Sequence, residues 1–358
     1  MTKPEPMDKD SVMIESFTAK GTWYEVNAKD ATCTCPAFLH HPTKMCKHLK
    51  SVKNKGTCGV SISLLKSNLQ KAIRKNNKDV ALKSAKALMN EDVIQFCRRF
   101  PIIILEDVIL HPYLKEVIDI LAKVSKKDGK LDKDDKDFLL GVVADAATFQ
   151  WRENLINEEE WVNVNKESDE AEEWIKDNAE EINKLPDEEL GLIRSIRYRA
   201  KMGGMTGDMR VLQRYSNLWA FRFIKNKKRW SYKTLKAGWT FNKIKYSDVE
   251  KIKRTDVLLE AVDFHCSPLL NILLKKDSVK SLSEKYYPDR EVNSVIKGII
   301  WRLRSGVSKK REIKSKEVRD WYDYMILFKG CDKDKDIIIF NELKTEIDNI
   351  SRWYISKQ

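Results

Sequence analysis

Cys33-Thr34-Cys35 and Cys46-Lys47-His48 set three thiols and an imidazole in the pattern C-x-C-x10-C-x-H. Thiolate and imidazole are the preferred ligands of zinc, and two closely spaced pairs can close a tetrahedron around one ion. Four protein ligands leave no position open for water, so the expected role is structural: the ion contributes to folding and not to chemistry. His40 and His41 lie in the spacer and compete for the fourth place. The remaining thiols, Cys58, Cys97, Cys266 and Cys331, are scattered, and a total of seven is odd. That distribution predicts a metal site and ordinary thiols in a reducing compartment, with no disulfide framework.

The elements that must position these ligands are short. Thr22 to Val26 is aromatic and β-branched and predicts a strand, Asn27 to Asp30 a turn, and Ala31 to Cys35 a returning strand that Pro36 ends. Cys46 to Val52 reads as a helix start. Hairpin and helix make a ββα module over 17–60, preceded by a polar tail at 1–16.

With its C-x-C pair after a strand carrying Trp23-Tyr24, Pro36 behind the second cysteine, Phe38 in the spacer and Cys46-Lys47-His48-Leu49 at the helix, this stretch resembles the SWIM-type zinc finger. The resemblance spans about 45 residues of 358. It implies zinc held by Cys33, Cys35, Cys46 and His48. Fingers of this type are associated with DNA binding and with protein–protein contacts. A basic rim of Lys44, Lys47, Lys50, Lys53 and Lys55 favours nucleic acid.

Charge is segregated along the rest of the chain. The net is +13. Residues 153–189 hold 15 acids against three lysines, whereas 194–254 hold 18 Lys/Arg against three acids. Ten aromatics interleave with those cations, and the densest stretch runs from Lys225 to Tyr232. Cations neutralise phosphates and exposed aromatics stack on unpaired bases. Lys47, Lys50, Arg222, Lys225, Lys227, Lys228 and Arg229 are therefore the phosphate candidates, with Trp230 and Tyr232 as stacking candidates. For about half of the aromatics, helical spacing predicts burial instead. Trp301 to Arg304 and Lys309 to Arg311 extend the basic character, and 227–229 and 309–311 fit nuclear-localisation clusters.

From Ser61 onward apolar residues recur with helical spacing. Helices are expected over 63–73, 80–89, 93–100 (stopped by Pro101), 113–124 and 134–150, then one or two in the acidic stretch, 190–198 and 211–225. Met202 to Asp208 holds three of the 13 glycines in five positions and predicts a sharp turn. Ser267-Pro268 starts a further helix, and Asp336 to Phe340 is a strand candidate. The stretch 61–115 is similar to the helical collar that follows the ATPase core in clamp-loader-like proteins, which implies a helical interaction domain only, since the core is missing here. The fold class is mainly α: the ββα zinc module, a helical bundle over 61–152, an acidic helical segment over 153–189 and a basic, aromatic-rich helical domain over 190–358.

Enzyme motifs are scarce. There is no Walker loop, G-x-S-x-G or H-E-x-x-H. Lys127 to Asp135 fails as a calcium loop, because alignment on Gly129 puts Val124 and Lys126 at ligand positions. Asp263 and His265 with the 203–208 loop form the one catalytic alternative. Without an apolar run of membrane length or a signal peptide, the expectation is an intracellular, nuclear or cytoplasmic, non-catalytic DNA-binding factor with zinc as its cofactor. Protein partners docking on the zinc module and helical bundle are the alternative.

Overall fold

A computed structural model describes residues 4–6, 11–16, 18–27, 32–40, 46–49, 58–108, 111–126, 130–148, 158–225, 227, 230–237, 241–305, 328 and 330–358. They form two units, Met1–Ser63 with Gln358, and Leu64–Lys357. Mainly α is the observed class, with one small sheet near the N-terminus.

In the first unit the sheet has three strands, β1 (Ser11–Glu15), β2 (Trp23–Asn27) and β3 (Thr32–Cys33), in sequence order and antiparallel. The expected tail thus gives way to an edge strand over 11–15. Val12 and Ile14 are β-branched and share one face of the strand, where Ile14 packs on the buried cluster of Val26, Leu49 and the cysteines and Val12, paired with Val26, is 40% exposed. Gly21 (φ 85°) turns the chain between β1 and β2, and its N–H donates to Glu15 Oε1 at 2.8 Å. Pairing of Val26 with Cys33 puts the first ligand on the strand's inner face. Helix α1 (Pro36–Leu39) follows at once, with Cys35 at its N-cap and Pro36 in its first turn.

Helix α2 runs from Ile62 to Arg74, with Leu64 onward in the second unit, and α3 runs from Lys78 to Asp107. Asn77 caps α3 through the Val80 N–H. Of two interruptions expected within α3, one is present and one is not. The gap between its halves is a kink at Asp92 (φ −161°, ψ 88°), whose Oδ1 accepts from Gln95 N–H and restarts the helix. Pro101 stops nothing. A proline inside a helix costs about 3 kcal/mol. Ile102, Ile103, Ile104 and Leu105 beyond it are fully buried, and each contributes about 1.5–3 kcal/mol, so burial wins.

Next come α4 (Leu114–Lys126), α5 (Lys133–Thr148), α6 (Glu158–Asn178), α7 (Asp187–Lys201), α8 (Thr206–Lys225) and α9 (Tyr232–Ala237). The segment 241–262 straps the bundle. Asn242 N–H donates to Asp145 of α5 at 3.2 Å, Tyr246 N–H donates to Asp137, and Lys86 Nζ donates to the Tyr246 and Val249 carbonyls. Buried Asn68 of α2 accepts from Leu258 N–H and donates to Ser84 of α3.

The C-terminal helices are α10 (Leu269–Leu273), α11 (Asp277–Tyr286), α12 (Val292–Ile300) and α13 (Lys333–Ser356). The expected strand at 336–340 lies inside α13. Four consecutive apolar residues fit either element, but Ile339, Leu343, Ile347 and Ile350 form one buried helical stripe while Ile338 is exposed. Asp332 caps the helix through the Asp334 and Lys335 N–H groups. No described helix is long and apolar enough to cross a membrane.

Candidate metal centre and basic face

The last strand of the small sheet and two short elements after it deliver the candidate ligand set. Strand β3 brings Cys33, the β3–α1 corner brings Cys35, and the helical turn that begins after Cys46 brings Cys46 and His48. All four side chains are buried, and their donor atoms lie within 4.8 Å of one another. Around zinc, donors at about 2.3 Å (sulfur) and 2.0–2.1 Å (nitrogen) stand roughly 3.5–3.8 Å apart. The observed set is slightly wider than that tetrahedron and can hold a metal ion. His40, the competing spacer ligand, is exposed at the C-cap of α1 and outside the set. His41 lies outside the described residues.

Backbone groups aim the thiols. Cys35 N–H donates to Cys33 Sγ at 3.4 Å and Leu49 N–H donates to Cys46 Sγ at 3.3 Å. The Tyr24 ring stands 4.9 Å from the His48 ring and fixes its tilt. Burial pushes the Cys33 thiol up to about 12. At Cys46 burial also acts upward, but the Leu49 N–H and the neighbouring thiols outweigh it and bring the pKa down. Burial lowers His48, favouring the neutral imidazole that ligates a metal. A bound cation would hold the thiols as thiolates.

Among the nucleic-acid candidates, Lys47 is exposed between two of the ligands. Lys50, Lys228 and Arg229 fall outside the described residues, as do the clusters at 44, 53, 55 and 309–311. Lys225 and Lys227 are exposed at the end of α8, with Lys225 Nζ 5.0 Å above the Trp174 ring. Arg222, Trp230 and Tyr232 are corrections. Arg222 is buried with its guanidinium 4.9 Å from both the Trp219 and Trp230 rings. Trp230 sits edge-on against Trp219. The Tyr232 hydroxyl donates to the Pro112 carbonyl at 2.6 Å, and burial beside Glu116 raises its pKa. A ring 1–5% exposed presents no face to a base. Cation–aromatic contact had a second use, which is to let a guanidinium enter the core.

The acidic segment packs on the basic helix. Asp169 of α6 pairs with Arg214 of α8 at 2.7 Å, and Trp174 meets Phe221 edge-on. Side chains over 158–167 are not described. The catalytic alternative loses its parts to local roles. Asp263 is buried, pairing with Lys71 at 3.8 Å and accepting from Ser67, while the His265 side chain is exposed. In the glycine turn, Arg98 and Arg199 donate to the Gly203 carbonyl, and Asp208 pairs with Arg99. These bonds pin the turn, the Met202 and Gly203 N–H groups close the end of α7 on the Tyr198, Arg199 and Ala200 carbonyls, and Gly203 (φ 75°) makes the turn.

The basic stretch read from the sequence contains Arg197, Lys201 and Arg210, but only the fold gathers them on the facing walls of α7 and α8. Arg197 and Lys201 share a face of α7, and Thr206, Arg210 and Gln213 share a face of α8. Four-residue spacing across a glycine turn was the available signal. Set against protein-family models, curated proteins and solved structures, the chain finds no match.

Proposed function

We propose that this chain is a zinc-containing DNA-binding factor without catalysis of its own, whose N-terminal module is a SWIM-like zinc finger. One observation carries the reading: a buried set of three cysteines and one histidine from three elements, with donor atoms within 4.8 Å of one another. Cys33, Cys35, Cys46 and His48 would hold the ion, which supplies cross-linking of the hairpin to the helical turn and no reactive position. Sulfur-rich donors favour zinc over the hard, oxygen-seeking cations. Lys47 projects between the ligands towards solvent, where a phosphate would meet it.

The second reading, a protein-docking scaffold, is favoured by Leu39, which is 66% exposed at the end of α1. Fluorescence anisotropy of the zinc-loaded full chain with labelled single- and double-stranded DNA over a salt series decides between them. Micromolar or tighter binding, with log K falling linearly in log salt, supports the DNA reading. Absence of binding at low salt refutes it and leaves the scaffold.

A further inference from the structure

Helices α7 and α8 are joined by the four residues Met202 to Met205, and an open cavity of 680 Å³ lies between their outward faces. Arg197 and Lys201 form one wall, one helical turn apart. Thr206, Arg210 and Gln213 form the other, with Met209 beside them. Three cations line the cavity and no acid does. Elsewhere on the second unit several exposed or half-exposed cations do stand beside acids: Arg214 has Asp169, Lys236 has Glu116, and Lys276 has Glu346. Like charges gathered in one cleft repel, and a polyanion relieves that cost.

The cleft is also built. Arg197 Nε donates to Ser216 Oγ at 3.0 Å, which fixes the plane of a half-buried guanidinium before any ligand arrives. Fixed guanidinium forks match phosphate oxygens in a bidentate way. The Thr206 hydroxyl and the Gln213 amide add neutral donors of the kind that contact phosphate and sugar. Met209 adds an apolar surface.

Resting on the DNA-binding reading, we propose that the α7–α8 cleft is the phosphodiester-binding site of the helical unit, with Arg197, Lys201 and Arg210 contacting successive phosphates. Lys201 and Arg210 are exposed, so Lys201→Gln/Arg210→Gln removes two contacts without opening the core. The control is Lys276→Gln/Lys280→Gln, which removes the same net charge from another surface.

Both doubles and the wild type, zinc-loaded and checked by circular dichroism, are titrated with labelled duplex DNA between about 50 and 200 mM salt. Loss of two phosphate contacts lowers the slope of log K against log salt by about 1.8, and affinity falls at least tenfold in the cleft variant alone. Wild-type slope in that variant, or an equal loss in the control, overturns the cleft assignment and leaves the DNA-binding reading standing. A wild-type protein that binds no DNA at the lower salt ends both. Micromolar binding of ATP without binding of DNA identifies a nucleotide pocket and overturns the phosphodiester assignment.

Discussion

Chelation of the metal should unfold the N-terminal unit and spare the helical one. Among the described residues, two side chains in the small core are buried, apolar and not candidate ligands, Val26 and Leu49, with Ile14, Tyr24 and Phe38 partly buried around them. Burying Val26 and Leu49 contributes about 1.5–3 kcal/mol each. A four-ligand zinc site contributes about 10–16 kcal/mol in small finger peptides. The ion is therefore the larger stabiliser of the two.

Hydrogen exchange read by mass spectrometry, before and after a strong chelator, separates the units. Amides of the β1–β2 ladder, Ser11 to Asn27, should go from protected to the rate of an unstructured peptide. Peptides between Leu64 and Lys357 should keep their protection. Far-UV circular dichroism should change little, because the long helices lie in the second unit. Cys35→Ser should show the same pattern without chelator. Retained ladder protection in a preparation shown by elemental analysis to be zinc-free would refute the reasoning.

Four further outcomes follow from the second unit. Lys71 is nine-tenths buried, and burial with Arg74 nearby brings its pKa to about 8, partly opposed by Asp263. The unfolded chain then holds a proton between pH 8 and about 10.4 that the folded one has released, so stability rises with pH in that window. Relative to Lys71→Met, wild-type stability should gain up to roughly 3 kcal/mol there, and a flat difference curve from denaturant melts sinks the assignment. At Gly141 an added Cβ would come within 2.5 Å of the Asn242 carbonyl oxygen and the Phe241 ring. Gly141→Ala should therefore cost about 1–3 kcal/mol, measured by thermal unfolding. Arg302 donates to buried Asp336 at 2.6 Å, and Arg302→Met should cost about 3–5 kcal/mol, with Arg302→Met/Asp336→Leu recovering most of it. Neutralising exposed Glu170, Glu172, Glu173 and Asp177 on α6 to amides should tighten DNA binding at low salt and leave it unchanged at high salt; equal affinities at low salt would show that the acidic helix does not compete for the cations of α8.

Local chemistry was legible wherever it repeats or sits at a fixed spacing. The ligand quartet needed only its own spacing, because a strand turn and a helix start place i and i+2 residues predictably. Helices α2, α4 and α5 announced themselves through apolar periodicity. What failed were judgements that depend on partners far away in sequence. Pro101 stays helical because four buried residues beyond it outweigh its cost, and 336–340 is helical because its stripe continues to Ile350. Ser11 to Glu15 is a strand because β2 pairs with it.

The deepest divide concerns the basic aromatic stretch. Composition alone joined its cations and aromatics into one nucleic-acid surface. Tertiary packing separated them: Trp219, Trp230 and Tyr232 went to the core and took Arg222 with them, while the outward cations on α7 and α8 gathered in a cleft. Spacing determines which residues share a helix face, and so the sequence by itself determined the quartet of three cysteines and a histidine, the helical class and the segregation of charge. Which face meets a neighbouring helix and which meets water depends on long-range packing, and only the tertiary structure decided it.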